Sequence, residues 1–140
     1  MKNIKNESDF KKWFEKNFRK LGYSKIIRKD NGNFPDFIML KNNKKISVEL
    51  ETLSSNFILH KHDKNKVNEI VCIKNDIDIN IPTKEVKELR YIGGKRRISA
   101  TVDEETANII NLLVKNEDFR NKSHLIETAI KLLAKEEKIW

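Results

Sequence analysis

The 140-residue chain contains a single cysteine, Cys72. A lone thiol excludes an intramolecular disulfide and any cysteine-based zinc site, and it fits a reducing compartment. It lies in the apolar run Ile70-Val71-Cys72-Ile73, the setting of a buried structural thiol and not of a nucleophile. No apolar run approaches the roughly 20 residues needed to cross a bilayer, and the charged N-terminus has no signal-peptide core. The sequon matches Asn6-Glu7-Ser8 and Asn121-Lys122-Ser123 then carry no meaning, and a soluble, cytoplasmic protein with no membrane partner is expected. Internal repeats and low-complexity segments are missing too, as are blocks of like charge long enough to form a disordered tail.

What is present is basic charge. The net charge is +8 and the pI near 9.5, a balance that favours a polyanionic partner. Abundant Lys, Asn and Ile can also reflect a biased genome, so the charge alone is only suggestive. Basic residues outnumber acidic ones 20 to 13 before Gly94 and 9 to 8 after it, so the excess sits in the first part.

Ser8 is placed to cap a helix from about Asp9 to Leu21, with Phe10, Trp13, Phe14, Phe18 and Leu21 as one apolar stripe and Gly22 as its stop. Helical spacing marks that stripe as core, and Lys11, Lys12, Lys16, Arg19 and Lys20 read as a solvated face. Tyr23 to Lys29 is a short strand, closed by an Asp30-Asn31-Gly32-Asn33 turn.

Two strands follow, Phe34 to Leu40 and Ile46 to Glu51, around a polar turn from Lys41 to Lys45. Pro35 belongs at a strand start or edge because it cannot donate to a ladder. Residues 52 to 64 read as a helix opening near Ser54. Val67 to Lys74 is an apolar strand of the kind buried in a sheet, and Thr83 to Leu89 is a short helix or extended segment. The order is αβββαβ, an α+β (α/β-type) core with a mixed sheet.

Strand alternation points Glu49 and Glu51 one way and Leu50 the other. Pairing around the turn brings Asp36 beside the two glutamates. Three converging carboxylates repel one another unless a hard cation such as Mg²⁺, or Mn²⁺, sits among oxygen ligands. Downstream come His60-Lys61-His62-Asp63, placing two of the three histidines close together. They could orient a water, protonate a leaving oxygen or contact phosphate, or simply form a polar helix end. On a continuous helix they would diverge by about 200° and could not share one ion.

Pro35-Asp36 and Glu49-Leu50-Glu51 on adjacent strands, in this element order, resemble the PD-(D/E)xK nuclease fold over roughly residues 8 to 80. The resemblance implies that Asp36 and Glu49 bind Mg²⁺ for in-line attack on a phosphodiester. Glu51 stands where that family usually has lysine; either Lys44, Lys45 or Lys61 replaces it or the site is retired.

Tyr91-Ile92-Gly93-Gly94 reads as a linker. Beyond it Ile98, Ala100 and Val102 alternate with Arg97, Ser99 and Thr101. Asp103 caps a helix to about Lys115 with Ile109, Ile110 and Leu113 on one face. Asn116 to Arg120 is a turn anchored by Phe119. Asn121 then caps a second helix whose inner face is Leu125, Ile126, Ala129, Ile130 and Leu133. About 45 residues in a strand and two helices cannot bury that apolar surface alone. The pattern Arg97-Ile98-Ser99-Ala100-Thr101-Val102-Asp103, the turn at Phe119 to His124 and the helix spacing resemble the ribbon-helix-helix family of dimeric DNA-binding domains.

That resemblance implies a homodimer through a two-stranded ribbon. Arg97, Ser99 and Thr101 would read base edges in the major groove of double-stranded DNA, and the amides of Asn121, Lys122 and Ser123 would hold a phosphate. His124 would pack or lie near the DNA backbone.

The expected organisation is therefore a nuclease-like domain over residues 1–90, a linker over 91–96 and a βαα ribbon-helix-helix domain over 97–140. The expected function is a metal-dependent DNA endonuclease, nucleoid-associated. The alternatives are a transcriptional regulator whose nuclease-like domain is inactive and an antitoxin whose first domain engages a toxin.

Overall fold

A computed structural model describes residues 1–30, 34–116 and 118–137. The chain divides into two compact units, Met1–Gly94 and Lys95–Trp140. It is α+β, with a mixed five-stranded sheet in the first unit. The turn expected at residues 30–33 lies outside the described residues beyond Asp30, as does position 117 of the turn expected at 116–120.

The first unit opens with β1 (Lys2–Ile4) and α1 (Glu7–Asn17), which continues as a 3₁₀ turn to Leu21. The helix starts earlier than Ser8 suggests, because Asn6 is the cap and its side-chain oxygen accepts the Asp9 amide at 2.8 Å. Gly22 ends the turn in the left-handed conformation, φ 93°, which glycine adopts without steric cost.

Strand β2 (Lys25–Lys29) pairs antiparallel with β3 (Phe37–Lys41), and β3 pairs antiparallel with β4 (Lys44–Leu53). A short helix, α2 (Ser55–Leu59), precedes β5 (Glu69–Lys74), which runs parallel to β4. Strand β6 (Thr83–Glu85) adds parallel to β5 and gives the order β2-β3-β4-β5-β6. Thus the segment open to helix or strand after Thr83 is extended at its start.

Alternation along the strands makes two apolar layers. Phe10, Trp13, Phe14 and Phe18 of the helical stripe pack against Phe37, Met39, Val48, Leu50 and Val71. On the other face Phe57, Val67, Ile70, Ile79 and Ile81 form a smaller cluster. Cys72 is free and fully buried, and burial pushes its thiol up to about 12.

Strand β7 (Leu89–Tyr91) pairs parallel with β1, and the Ile92 amide donates to the Ile4 carbonyl at 2.9 Å. Tyr91 and Ile92, read from sequence as linker, therefore belong to the first unit. Gly93 passes so close to Lys5 that an added Cβ would sit 2.1 Å from its carbonyl oxygen.

The second unit holds α3 (Glu104–Lys115) and α4 (Lys122–Glu136). Their caps are those the sequence announces: Asp103 accepts the Thr106 amide at 2.8 Å, and Asn121 accepts the His124 amide at 2.9 Å. Residues 97–102 form no strand, unlike the expectation from their alternation. A ladder needs a partner, and this chain offers that segment none among the described residues. Leu125 is the buried apolar side chain among the described residues of this unit, while Ile109, Leu112, Ile126, Ile130 and Leu133 are exposed. Among the described residues, no helix is long and apolar enough to cross a membrane.

Candidate functional site: a buried carboxylate cluster with two histidines

The β3–β4 register pairs Phe37 with Val48, so one step further puts Asp36 opposite Glu49. The Asp36 amide donates to Glu49 Oε1 at 3.2 Å, and the Leu50 amide donates to Asp36 Oδ2 at 2.9 Å. Leu50 points into the α1 layer, which leaves Glu49 and Glu51 together on the opposite face. Asp36, Glu49 and Glu51 are 4%, 3% and 2% exposed. Such burial of acidic side chains is unusual without a compensating positive charge.

Part of that charge comes from a residue the sequence reading assigned to solvent. Lys11 on α1 places its Nζ 2.7 Å from Asp36 Oδ1 and 3.9 Å from Glu7 Oε1. Glu7 and Lys11 line an open cleft of about 240 Å³ with Phe34, Asp36, Glu49, His60 and His62. Lys44 and Lys45, weighed as substitutes for the missing lysine, sit at the opposite end of β4 from Glu49. Lys61 is exposed. The lysine that reaches the carboxylates is Lys11. Its only signal in the sequence is its i,i+4 spacing from Glu7, which many surface helices share.

Burial raises the Glu49 carboxyl well above the usual range, and Asp36 and Glu51 add to this by like-charge repulsion. Burial also pushes Glu51 up to about 8, reinforced by Glu7 and Asp36 and opposed by Lys11. Glu7 is raised by burial and by Asp36. Desolvation opposes the charge on Lys11, but its hydrogen bond to Asp36 and the negative charges of Asp36, Glu7 and Glu49 together outweigh this and raise it.

The histidines depart from the expectation that they diverge. Helix α2 stops at Leu59 and Lys61 is left-handed, φ 53°, so the chain reverses between the two rings. His60 Nδ1 and His62 Nε2 each lie 3.6 Å from Glu51 Oε1, and His62 Nε2 lies 3.6 Å from Glu49 Oε2. The His62 ring stacks on Phe34, centroids 4.4 Å apart at 7°. Burial and the neighbouring His60 hold the His62 imidazole below its usual range, which keeps it neutral at pH 7. Asp76 fixes the start of α2 by accepting from the Ser55 amide at 2.8 Å and from the Ser54 hydroxyl at 2.9 Å.

The donor set suits cations. Asp36 and Glu49 bring the oxygen atoms that Mg²⁺ or Mn²⁺ favours. In the second unit Arg97, Ser99 and Thr101 are exposed. Asn121 already occupies one of the orphan amides at the start of α4, where Lys122 and Ser123 are exposed. The Arg120 amide donates to His124 Nδ1 at 3.2 Å, and the His124 ring meets Phe119 edge-on.

Comparison with protein-family models, curated proteins and solved structures finds no match to this chain.

Proposed function

We propose that the chain is a DNA-binding protein and a metal-dependent DNA endonuclease. In this reading the first unit is a PD-(D/E)xK-like core and the second a ribbon-helix-helix module that pairs two copies on a duplex. The observation that carries it is the buried cluster of Asp36, Glu49 and Glu51 in a basic unit, the first two lining an open cleft with Lys11 and two histidines. Asp36 and Glu49 would hold Mg²⁺ or Mn²⁺, whose chemistry there would be to supply positive charge to a phosphodiester under in-line attack. Lys11 fixes the orientation of Asp36, the Leu50 amide holds its other oxygen, and His62 is available to take or return a proton at the cleft wall. The protein would act in the cytoplasm, on the nucleoid.

The uncovered apolar side chains of α3 and α4 support pairing with a second copy, since each half alone leaves them in water. Sedimentation at micromolar concentration is expected to give a dimer, and Ile130→Glu, at a position 59% exposed in one chain, to give a monomer. A wild-type monomer would remove this part of the reading. Gel shifts provide a second check. Arg97→Ala is expected to lose sequence preference by about 5- to 100-fold, the scale of one base contact; an unchanged preference refutes readout by the ribbon.

Incubation of supercoiled plasmid with the protein and Mg²⁺ or Mn²⁺ tests cleavage, with EDTA as control. Nicked or linear product that EDTA abolishes supports the endonuclease. One observation favours a second reading, a transcriptional regulator with a retired site: Lys11 already gives Asp36 the positive partner that a cation would supply. Tight duplex binding with no cutting of duplex, single-stranded or branched DNA would select that regulator.

A further inference from the structure

We propose that Glu51, His60 and His62 form a three-ligand site for a borderline divalent transition ion of the zinc class, distinct from the oxygen pair Asp36 and Glu49. The inference rests on reading the cleft as a cation site and adds which ion it selects and through which atoms. Three separations argue for it. The two imidazole nitrogens each lie 3.6 Å from the same carboxylate oxygen, Glu51 Oε1, and the three ligand atoms lie within 4.8 Å of one another.

A 3.6 Å gap is too long for a hydrogen bond, which spans about 2.7–3.2 Å. It is close to the spacing that a shared ion imposes. Ligand bonds of about 2.0–2.1 Å at tetrahedral angles hold neighbouring ligand atoms about 3.4 Å apart. The two separations to Glu51 are thus within a few tenths of an ångström of that spacing, and the two imidazole nitrogens, within 4.8 Å of each other, close onto one ion by at most about 1.4 Å, the scale of a side-chain rotation.

The surroundings fit the same use. Lys61 sits at φ 53° between the two histidines, a conformation that a non-glycine residue holds only when the surroundings enforce it, and such positions collect at functional sites. That reversal is what turns both rings toward Glu51. Phe34 stacks flat on His62 and fixes its plane, as a ring that must present one nitrogen requires. Glu49 Oε2, 3.6 Å from His62 Nε2, borders the site, and His60 and His62 line an open cleft, as catalytic zinc sites that keep a place for water or substrate require. Two imidazoles and a carboxylate favour zinc-class ions, whereas Mg²⁺ favours oxygen donors.

Calorimetric titration with Zn²⁺, and separately with Mg²⁺, tests this on the full chain. One Zn²⁺ per chain is expected, bound far more tightly than Mg²⁺. His60→Gln and His62→Gln are each expected to weaken Zn²⁺ binding by about 100-fold or more, and His124→Gln, the remaining histidine, to leave it within about twofold. Zn²⁺ binding unchanged in both cleft variants, or no tighter than Mg²⁺, overturns the proposal. Should a variant unfold, Co²⁺ added to the wild-type protein decides: intense visible bands of a four-coordinate nitrogen-ligated ion support the site, and the weak bands of the hydrated ion refute it. A protein that binds Zn²⁺ and cuts no DNA sinks the endonuclease alone. One that cuts with Mg²⁺ and ignores Zn²⁺ sinks this site alone.

Discussion

The Asp36→Asn protein is expected to lose metal-dependent plasmid cleavage by about 100- to 1,000-fold while remaining folded. The magnitude is that of removing one charged or polar group that steadies a transition state. Asparagine matters here as the replacement. Its side-chain oxygen still accepts from the Leu50 amide, which sits 2.9 Å from Asp36 Oδ2, so the local backbone keeps its partner. Alanine would leave that buried N–H unpaired, at a cost of about 1–3 kcal/mol, and would confuse lost chemistry with lost structure. What asparagine removes is the charge that faces Lys11 at 2.7 Å and that would anchor a divalent ion. Nicking rates and thermal melts of both proteins make the measurement. Wild-type cutting by the asparagine variant would discard the site assignment.

The second large effect is on stability against pH in EDTA. Glu51 is held protonated up to about pH 8 in the folded chain, against an ordinary value of 4.5. The folded state therefore holds this proton more tightly than the unfolded state does. Sign follows from that: the contribution is complete below pH 4.5 and is lost as pH climbs toward 8. At about 1.4 kcal/mol for each pH unit, the loss reaches on the order of 5 kcal/mol at most. Glu49, raised by burial and by Asp36, shifts stability in the same direction. Glu51→Gln keeps the shape and removes the titrating proton, so its urea midpoint should exceed that of the wild type at pH 8.5 and converge with it near pH 4.5. A wild-type midpoint that is flat or rising between pH 5 and 8 would contradict this account.

Much of the first unit is legible in the sequence because its signals are local. The aromatic stripe of α1, the β3–β4 turn and the buried run of β5 each declare themselves within a few residues. From these the approach of Asp36 to Glu49 follows, since antiparallel register carries it. The histidine geometry was not legible. It depends on α2 stopping after five residues and on one left-handed lysine, and nothing in His60-Lys61-His62 announces a reversal. Lys11 was hidden for another reason. It is one of several basic residues on α1, and only the packing of that helix over the sheet separates it from Lys12 or Lys16. Residues 97–102 show the opposite limit, an alternation readable at once that forms no strand in the structure.

The tight passage of Gly93 against Lys5 joins the chain's way out of the first unit to its way into α1. Lys5 is followed at once by Asn6, the cap, and then by Glu7 and Lys11 on the first turns of that helix. A side chain forced in at Gly93 thus bears first on the short β1–β7 ladder and on the helix that β1 feeds, the one whose ammonium grips Asp36.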